Sequence, residues 1–154
     1  LAFDRESGPG GGAAVARLGY VFGQPGTEPR PRGLRGGRPR PAVAPEQQEK
    51  MAAHWDRISA KSRYMLPSHD PDEGKFDAKR YWRGPIWQVV NYMLARGFAE
   101  YGYDAWANRI RNDSREMIEQ HGFNEAFCPL TGEGSGGRDF SWTAAMWLAW
   151  CGQN

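Results

Sequence analysis

Arg80-Tyr81-Trp82-Arg83-Gly84-Pro85-Ile86-Trp87 packs three large aromatics, two arginines and a Gly-Pro pair into eight residues. An apolar stripe follows at helical spacing: Ile86, Val89, Val90, Met93, Leu94 and Phe98. A proline suits the first turn of a helix, where its missing N–H costs nothing. The stretch therefore predicts a helix that opens at Gly84-Pro85 and weakens at Gly97 and Gly102. Upstream, Pro45-Glu46 opens another helix, with Met51, Trp55 and Ile58 on one face, ending near Ser62. Downstream, Asp104 reads as an N-cap, Trp106, Ile110, Met117 and Ile118 as a stripe, and Gly122 as a stop. Residues 123–140 read as a long Gly-rich loop, and Ser141 as the N-cap of a last helix through Trp150. No strand pattern competes after residue 45. The chain is all-α, built of helix pairs.

The first 44 residues differ in kind. From Gly8 to Ala42 there are six arginines, a single acid (Glu28) and sixteen Gly or Pro among 35 residues. Such a stretch has neither helical nor strand period and buries little apolar surface. A disordered basic tail, a loop insertion and a stretch of a GC-rich gene read out of frame all fit it, and the composition favours the last. Of the 20 aromatics, 17 lie after residue 45, including all seven Trp, so the core belongs to residues 45–154. A net charge of +2 is too small to imply a polyanionic partner. No apolar run of about 18 residues suggests a membrane span. The N-terminus shows no basic region followed by an apolar one, and the compartment stays open, with a cytoplasmic setting ahead of a secreted one. His54, His69, His121 and the two cysteines, Cys128 and Cys151, make no metal-ligand spacing, and two isolated thiols are expected.

The second chemistry-bearing stretch is Phe123-Asn124-Glu125-Ala126-Phe127-Cys128-Pro129-Leu130-Thr131-Gly132-Glu133, running on to Phe140-Ser141-Trp142-Thr143-Ala144-Ala145. Flat rings with a few fixed polar groups are what a sugar site needs. Glu125 sits among rings, where a carboxylate can be held and tuned. Glu133, between glycines, reads as an exposed turn. Tyr81, Trp82 and Trp87 are candidate sugar platforms, though Trp87 reads equally well as a core staple. Arg83 is suited to orient a carboxylate such as Glu125, to hold a ligand group, or to make a plain surface ion pair. Asn91, one turn after Trp87, reads as a pocket wall or as a satisfied core amide. Trp142 stands just past Ser141, by a helix start.

Together the two stretches resemble the C-terminal part of the catalytic domain of glycoside hydrolase family 63, the family that includes mannosylglycerate and glucosylglycerate hydrolases and, more distantly, trehalases. The resemblance spans about residues 45–151. It implies an (α/α)6 toroid, incomplete here, and an inverting hydrolase of α-glucosides or α-mannosides. It further implies that Glu125 is the general base, that Tyr81, Trp82, Arg83, Trp87, Asn91 and Trp142 contact substrate, and that no cofactor or metal is needed. The implied partner is a small saccharide, not nucleic acid or membrane. The family's general acid is an Asp in a segment reading Glu-Ser-Gly-x-Asp. Glu6-Ser7-Gly8 begins like that segment, but Gly10 stands in the Asp position, so the acid is expected outside this chain. On that expectation the chain alone is inert. Two alternatives stay open: a non-catalytic carbohydrate-binding remnant, and a module whose basic arm binds nucleic acid. The aromatics lie outside the basic stretch, which weighs against the second.

Overall fold

The computed structural model describes residues 44–153. The Gly/Pro/Arg-rich stretch and Glu6-Ser7-Gly8 lie outside them, as does every expectation about them. The described part is helical, with a minimal hairpin. Its elements are α1 (Pro45–Ser59), a 3-10 turn (Tyr81–Arg83), α2 (Gln88–Glu100), α3 (Asp104–His121), β1 (Ala126–Phe127), β2 (Gly134–Ser135), α4 (Ser141–Met146) and a π-helical turn (Trp147–Cys151).

The apolar stripes do what their spacing dictates. Trp55 and Ile58 of α1, Leu94, Ala95 and Phe98 of α2, and Ile110 of α3 meet Met65 and Leu66 in one buried cluster. Trp106 packs against its edge, partly buried. A second cluster joins Tyr64, Ile86, Met117, Ile118, Phe127 and Cys151. Burying each large side chain stabilises by about 2 kcal/mol, which is why these positions tolerate nothing polar. Cys128 and Cys151 are both buried and unpaired. Burial pushes the Cys151 thiol up to about 11.

Local signals shift by a few residues where tertiary contacts win. The α1 helix ends at Ser59, short of Ser62. The second helix starts at Gln88, so Pro85 and Ile86 precede it and Trp87 is its N-cap. Tyr103 and Phe140, not Asp104 and Ser141, cap α3 and α4. Gly122 ends α3 with a positive φ of 80°. The two-residue strands, too short to show alternation, are the exception to the strand-free reading.

Asn91 belongs to the core, not to a pocket wall. It is 0% exposed. Its Oδ1 accepts from the Leu66 N–H at 3.1 Å, and its Nδ2 donates to the Met65 carbonyl at 2.8 Å and to Ser114 Oγ at 2.9 Å. It thus joins α2 to α3 and to both ends of one peptide bond in the segment after α1. Asp113 does a similar task beside it: it accepts from the Met65 N–H at 2.9 Å and from Arg109. Burial raises its carboxyl above the ordinary range, against the pull of Arg109.

The loop after α1 is tied back by charge. Arg57 binds Asp70 and Asp72, Lys61 binds Asp72, and His54 Nε2 lies 3.6 Å from Asp70. The hydrogen bond from Arg57 holds the Asp70 carboxyl below its ordinary value.

Two outcomes follow. Asn91→Ala leaves two buried backbone groups and a hydroxyl unpartnered, and should cost about 3 kcal/mol by urea unfolding. An unchanged midpoint would remove the core role. Asp70→Asn should cost about 1 kcal/mol at neutral pH, discounted because Arg57 is 40% exposed. A lowered folded-state pKa gives stability that is present above the unfolded value of about 3.8 and lost as pH falls through the folded one. The difference between wild type and variant should therefore vanish in acid; a difference that persists at pH 2 would contradict the ion-pair origin.

Candidate functional site

The two aromatic-rich stretches meet through the backbone. Ile86 N–H donates to the Phe127 carbonyl at 2.7 Å, and Phe127 N–H donates to the Ile86 carbonyl at 2.9 Å. This antiparallel bridge is why Pro85-Ile86 is extended rather than helical. Trp87 follows Ile86, and Glu125 precedes Phe127 by two. In an antiparallel pair both lie toward the same end.

The segment ahead of the bridge is folded tightly. Gly84 N–H donates to Ser68 Oγ at 3.2 Å, and the Gly84 carbonyl accepts from the Ser68 N–H at 3.2 Å. A Cβ on Gly84 would sit 2.2 Å from the Asp77 carbonyl oxygen, so only glycine permits this approach. The turn that results displays an aromatic group. Trp82 stacks on Trp87, with ring centroids 4.4 Å apart and planes 17° apart. Tyr81 meets Trp87 edge-on at 4.8 Å. Trp87 is 3% exposed, whereas Trp82 is 46% and Tyr81 57% exposed. Trp87 is thus buried, as a core staple is, while Tyr81 and Trp82 present accessible rings.

Arg83 turns away from the carboxylate. Its Nε donates to the Lys75 carbonyl at 3.2 Å, and among the described residues it makes no ion pair with Glu125. A different cation reaches the second stretch: Lys79, the residue before Arg80, bonds Glu133 at 3.2 Å. Sequence reasoning passed over Lys79, because nothing local marks it. Its hydrogen bond holds the Glu133 carboxyl below the ordinary range. Glu133 itself is exposed, as its flanking glycines suggested.

Glu125 is held from several sides. The preceding residue, Asn124, donates through Nδ2 to the His121 carbonyl at 2.7 Å, and its own carbonyl accepts from Thr143 Oγ1 at 2.6 Å. The following residue starts β1, where Ala126 pairs with Ser135 and Phe127 with Gly134. Glu125 N–H donates to the Gly137 carbonyl at 2.8 Å, and Gly137 N–H donates back to Glu125 Oε2 at 3.0 Å. The side chain is neither fully buried nor fully exposed. A carboxylate so fixed and still reachable can take a proton from a bound water.

Trp142 lies on the first turn of α4, not ahead of it, beside Phe140 at 5.8 Å, and is 57% exposed. An open depression of about 530 Å³ is lined by His121, Phe123, Asn124, Glu133, Arg138 and Asp139, among others. Neither Glu125 nor the Tyr81, Trp82 and Trp87 rings line it. Among the described residues no group of three His, Cys, Asp or Glu stands close enough to hold a metal ion. No helix among them is long and apolar enough to cross a membrane.

Known proteins resemble this chain in sequence and in fold. The chain is 53% identical over 87 residues to mannosylglycerate hydrolase MGH1 of Selaginella moellendorffii, covering 56% of this chain and 18% of that protein. It is 48% identical over 100 residues to the mannosylglycerate hydrolase of Thermus thermophilus, covering 65% of this chain and 24% of the relative. A crystal structure of the family 63 mannosylglycerate hydrolase from Thermus thermophilus in complex with glucose superposes with a TM-score of 0.69 at 44% identity. That match covers 70% of this chain and 27% of the solved one. The structure of the same enzyme with Tris and D-glycerate matches with a TM-score of 0.67. The chain thus spans about a quarter or less of the proteins it matches, and its helices are part of the all-α catalytic fold of family 63. Residues 30–143 match the mannosylglycerate hydrolase MGH1-like glycoside hydrolase domain, and the chain belongs to that family.

Proposed function

We propose that this chain is the base-bearing part of an inverting α-glycoside hydrolase, whose substrates are small α-mannosides or α-glucosides such as those of glycerate. One observation carries the reading: Glu125, half-buried, has its backbone fixed on both sides and one carboxylate oxygen held by an amide.

Inversion needs two carboxyl groups, roughly 6.5–9.5 Å apart, with water between the base and the anomeric carbon. Glu125 takes a proton from that water as its oxygen attacks the anomeric carbon. The glycosidic bond breaks on the opposite face, and the leaving oxygen is protonated by an acid. Glu125 is the base; the acid is an Asp outside this chain. The chemistry moves only protons and one C–O bond, so no cofactor is required. Tyr81 and Trp82 offer exposed rings to the apolar face of the sugar, with Trp87 backing them. Trp142 offers another ring. Arg83 and Asn91 act at one remove, by shaping the loop and the core.

A base without an acid gives little rate, since each such group contributes about 10²–10⁴-fold. The chain alone should therefore be inert on mannosylglycerate and glucosylglycerate. A hybrid in which residues 44–153 replace the matching part of the Thermus thermophilus relative should be active. In it, Glu125→Gln should lower kcat by at least about 10²-fold and leave KM within a few-fold. A variant retaining most of its kcat would move the base elsewhere.

Trp82→Ala and Trp106→Ala should separate in the same hybrid. The first removes an exposed ring and should raise KM for the glycoside with little change in melting. The second removes a ring packed on the core and should cost about 3 kcal/mol of stability with KM unchanged. If Trp82→Ala binds normally and melts low, the platform is only a staple for Trp87.

A further inference from the structure

We infer that Gly136 is a positioning residue for the Glu125 carboxylate: its bare Cα and the Gly137 amide together fix Oε2 and leave Oε1 to receive the proton. The inference rests on the reading of Glu125 as base.

Gly136 has φ +76°, a conformation that an L side chain rarely adopts. Strain alone does not explain the glycine. A Cβ built on Gly136 would fall 2.5 Å from Glu125 Oε2, 2.8 Å from Glu125 Cβ and 3.1 Å from Glu125 Cδ. The three nearest atoms all belong to one side chain. The carboxylate thus lies against the glycine backbone, in space that any other residue would fill. The next residue closes the clasp, because Gly137 N–H reaches Oε2 at 3.0 Å while its carbonyl takes the Glu125 N–H at 2.8 Å. Gly102 gives the contrast. It has φ +82° with nothing within 4 Å of an added Cβ, so its glycine answers to backbone conformation only.

The consequence is an asymmetric carboxylate. Oε2 is spent on the amide, and among the described residues Oε1 makes no hydrogen bond. A base needs one oxygen anchored, so that the group does not rotate, and the other directed at water. A displacement of about 1 Å can cost 10²-fold in rate even when binding is intact.

The test is a double-mutant cycle read by thermal melting of this chain, with a kinetic arm in the hybrid enzyme. Gly136→Ala should lower Tm by several degrees, more than Gly102→Ala. Glu125→Gly removes all three contacted atoms at once, and in that background the loss from Gly136→Ala should shrink to the Gly102→Ala level. Equal losses in both backgrounds would overturn the contact. Should Gly136→Ala alone fail to fold, recovery of folding in the double variant supports the proposal and failure in both overturns it. In the hybrid, Gly136→Ala should lower kcat about 10²-fold with KM within a few-fold, whereas Gly102→Ala leaves kcat unchanged. Coupled melting with an unaltered kcat would make Gly136 merely structural and sink the positioning role. Failure of the base assignment is read separately, from Glu125→Gln.

Discussion

Two hydrogen bonds between Ile86 and Phe127 connect everything that matters in this chain. They pin the end of one loop to the start of another, across the whole α2–α3 hairpin. Ile86 and Phe127 are both 0% exposed, so the bonds form where water does not compete. A buried backbone pair of this kind is expensive to break, because each freed group loses its partner without regaining solvent. The cost of separating the stretches falls on the second core cluster as well, since both side chains belong to it. The site is in this sense an outgrowth of the core. Ala126 and Phe127 are inside, Glu125 is half out, and the two are separated by the single step that precedes β1.

Much of the fold could be read from residue spacing. Trp55 and Ile58 are three apart, Leu94 and Phe98 four, and Ile110 is seven and eight from Met117 and Ile118, all helical spacings, and all are buried. The boundaries were less legible, for a definite reason. Gly84-Pro85 looks like a helix start because proline fits a first turn, but the partner that keeps Ile86 extended is Phe127, far along the chain. No local window contains both. Tyr103 and Phe140 likewise displace the polar residues beside them as caps, because their own carbonyls accept the first amide bonds, from Ala107 and Ala144. Propensity for a capping side chain is worth about 1 kcal/mol, and a backbone already held in place overrides it.

For the proposed site, the sequence pointed to the candidate base and not to the groups that hold it. Glu125 announced itself by its neighbours. Asn91 did not, since an amide one turn after a tryptophan reads the same whether it faces a cavity or a peptide bond. Its three internal hydrogen bonds decide for the latter. Lys79 and Gly136 gave no signal at all. A lysine in a polar loop and a glycine in a glycine-rich run are the least informative residues a sequence offers, and their meaning comes only from what lies opposite them.

The chain spans about a quarter of the length of its relatives, and several of its large side chains face solvent. Tyr81, Trp82, Trp142 and Leu148 are between 46% and 72% exposed, well beyond what large apolar side chains usually show. Within the described residues, then, the parts of the site divide by what each needs. The carboxylate needs fixed backbone, and it has that here, from Gly137, Thr143 and β2. A closed cavity needs walls on all sides, and the depression beside the hairpin is open. Positioning is a local property of a loop clasped by its neighbours, whereas desolvation and acid–base pairing are properties of a completed ring. The order around Glu125 is of the first kind: its backbone and one carboxylate oxygen are held by neighbours within the same loop and helix start.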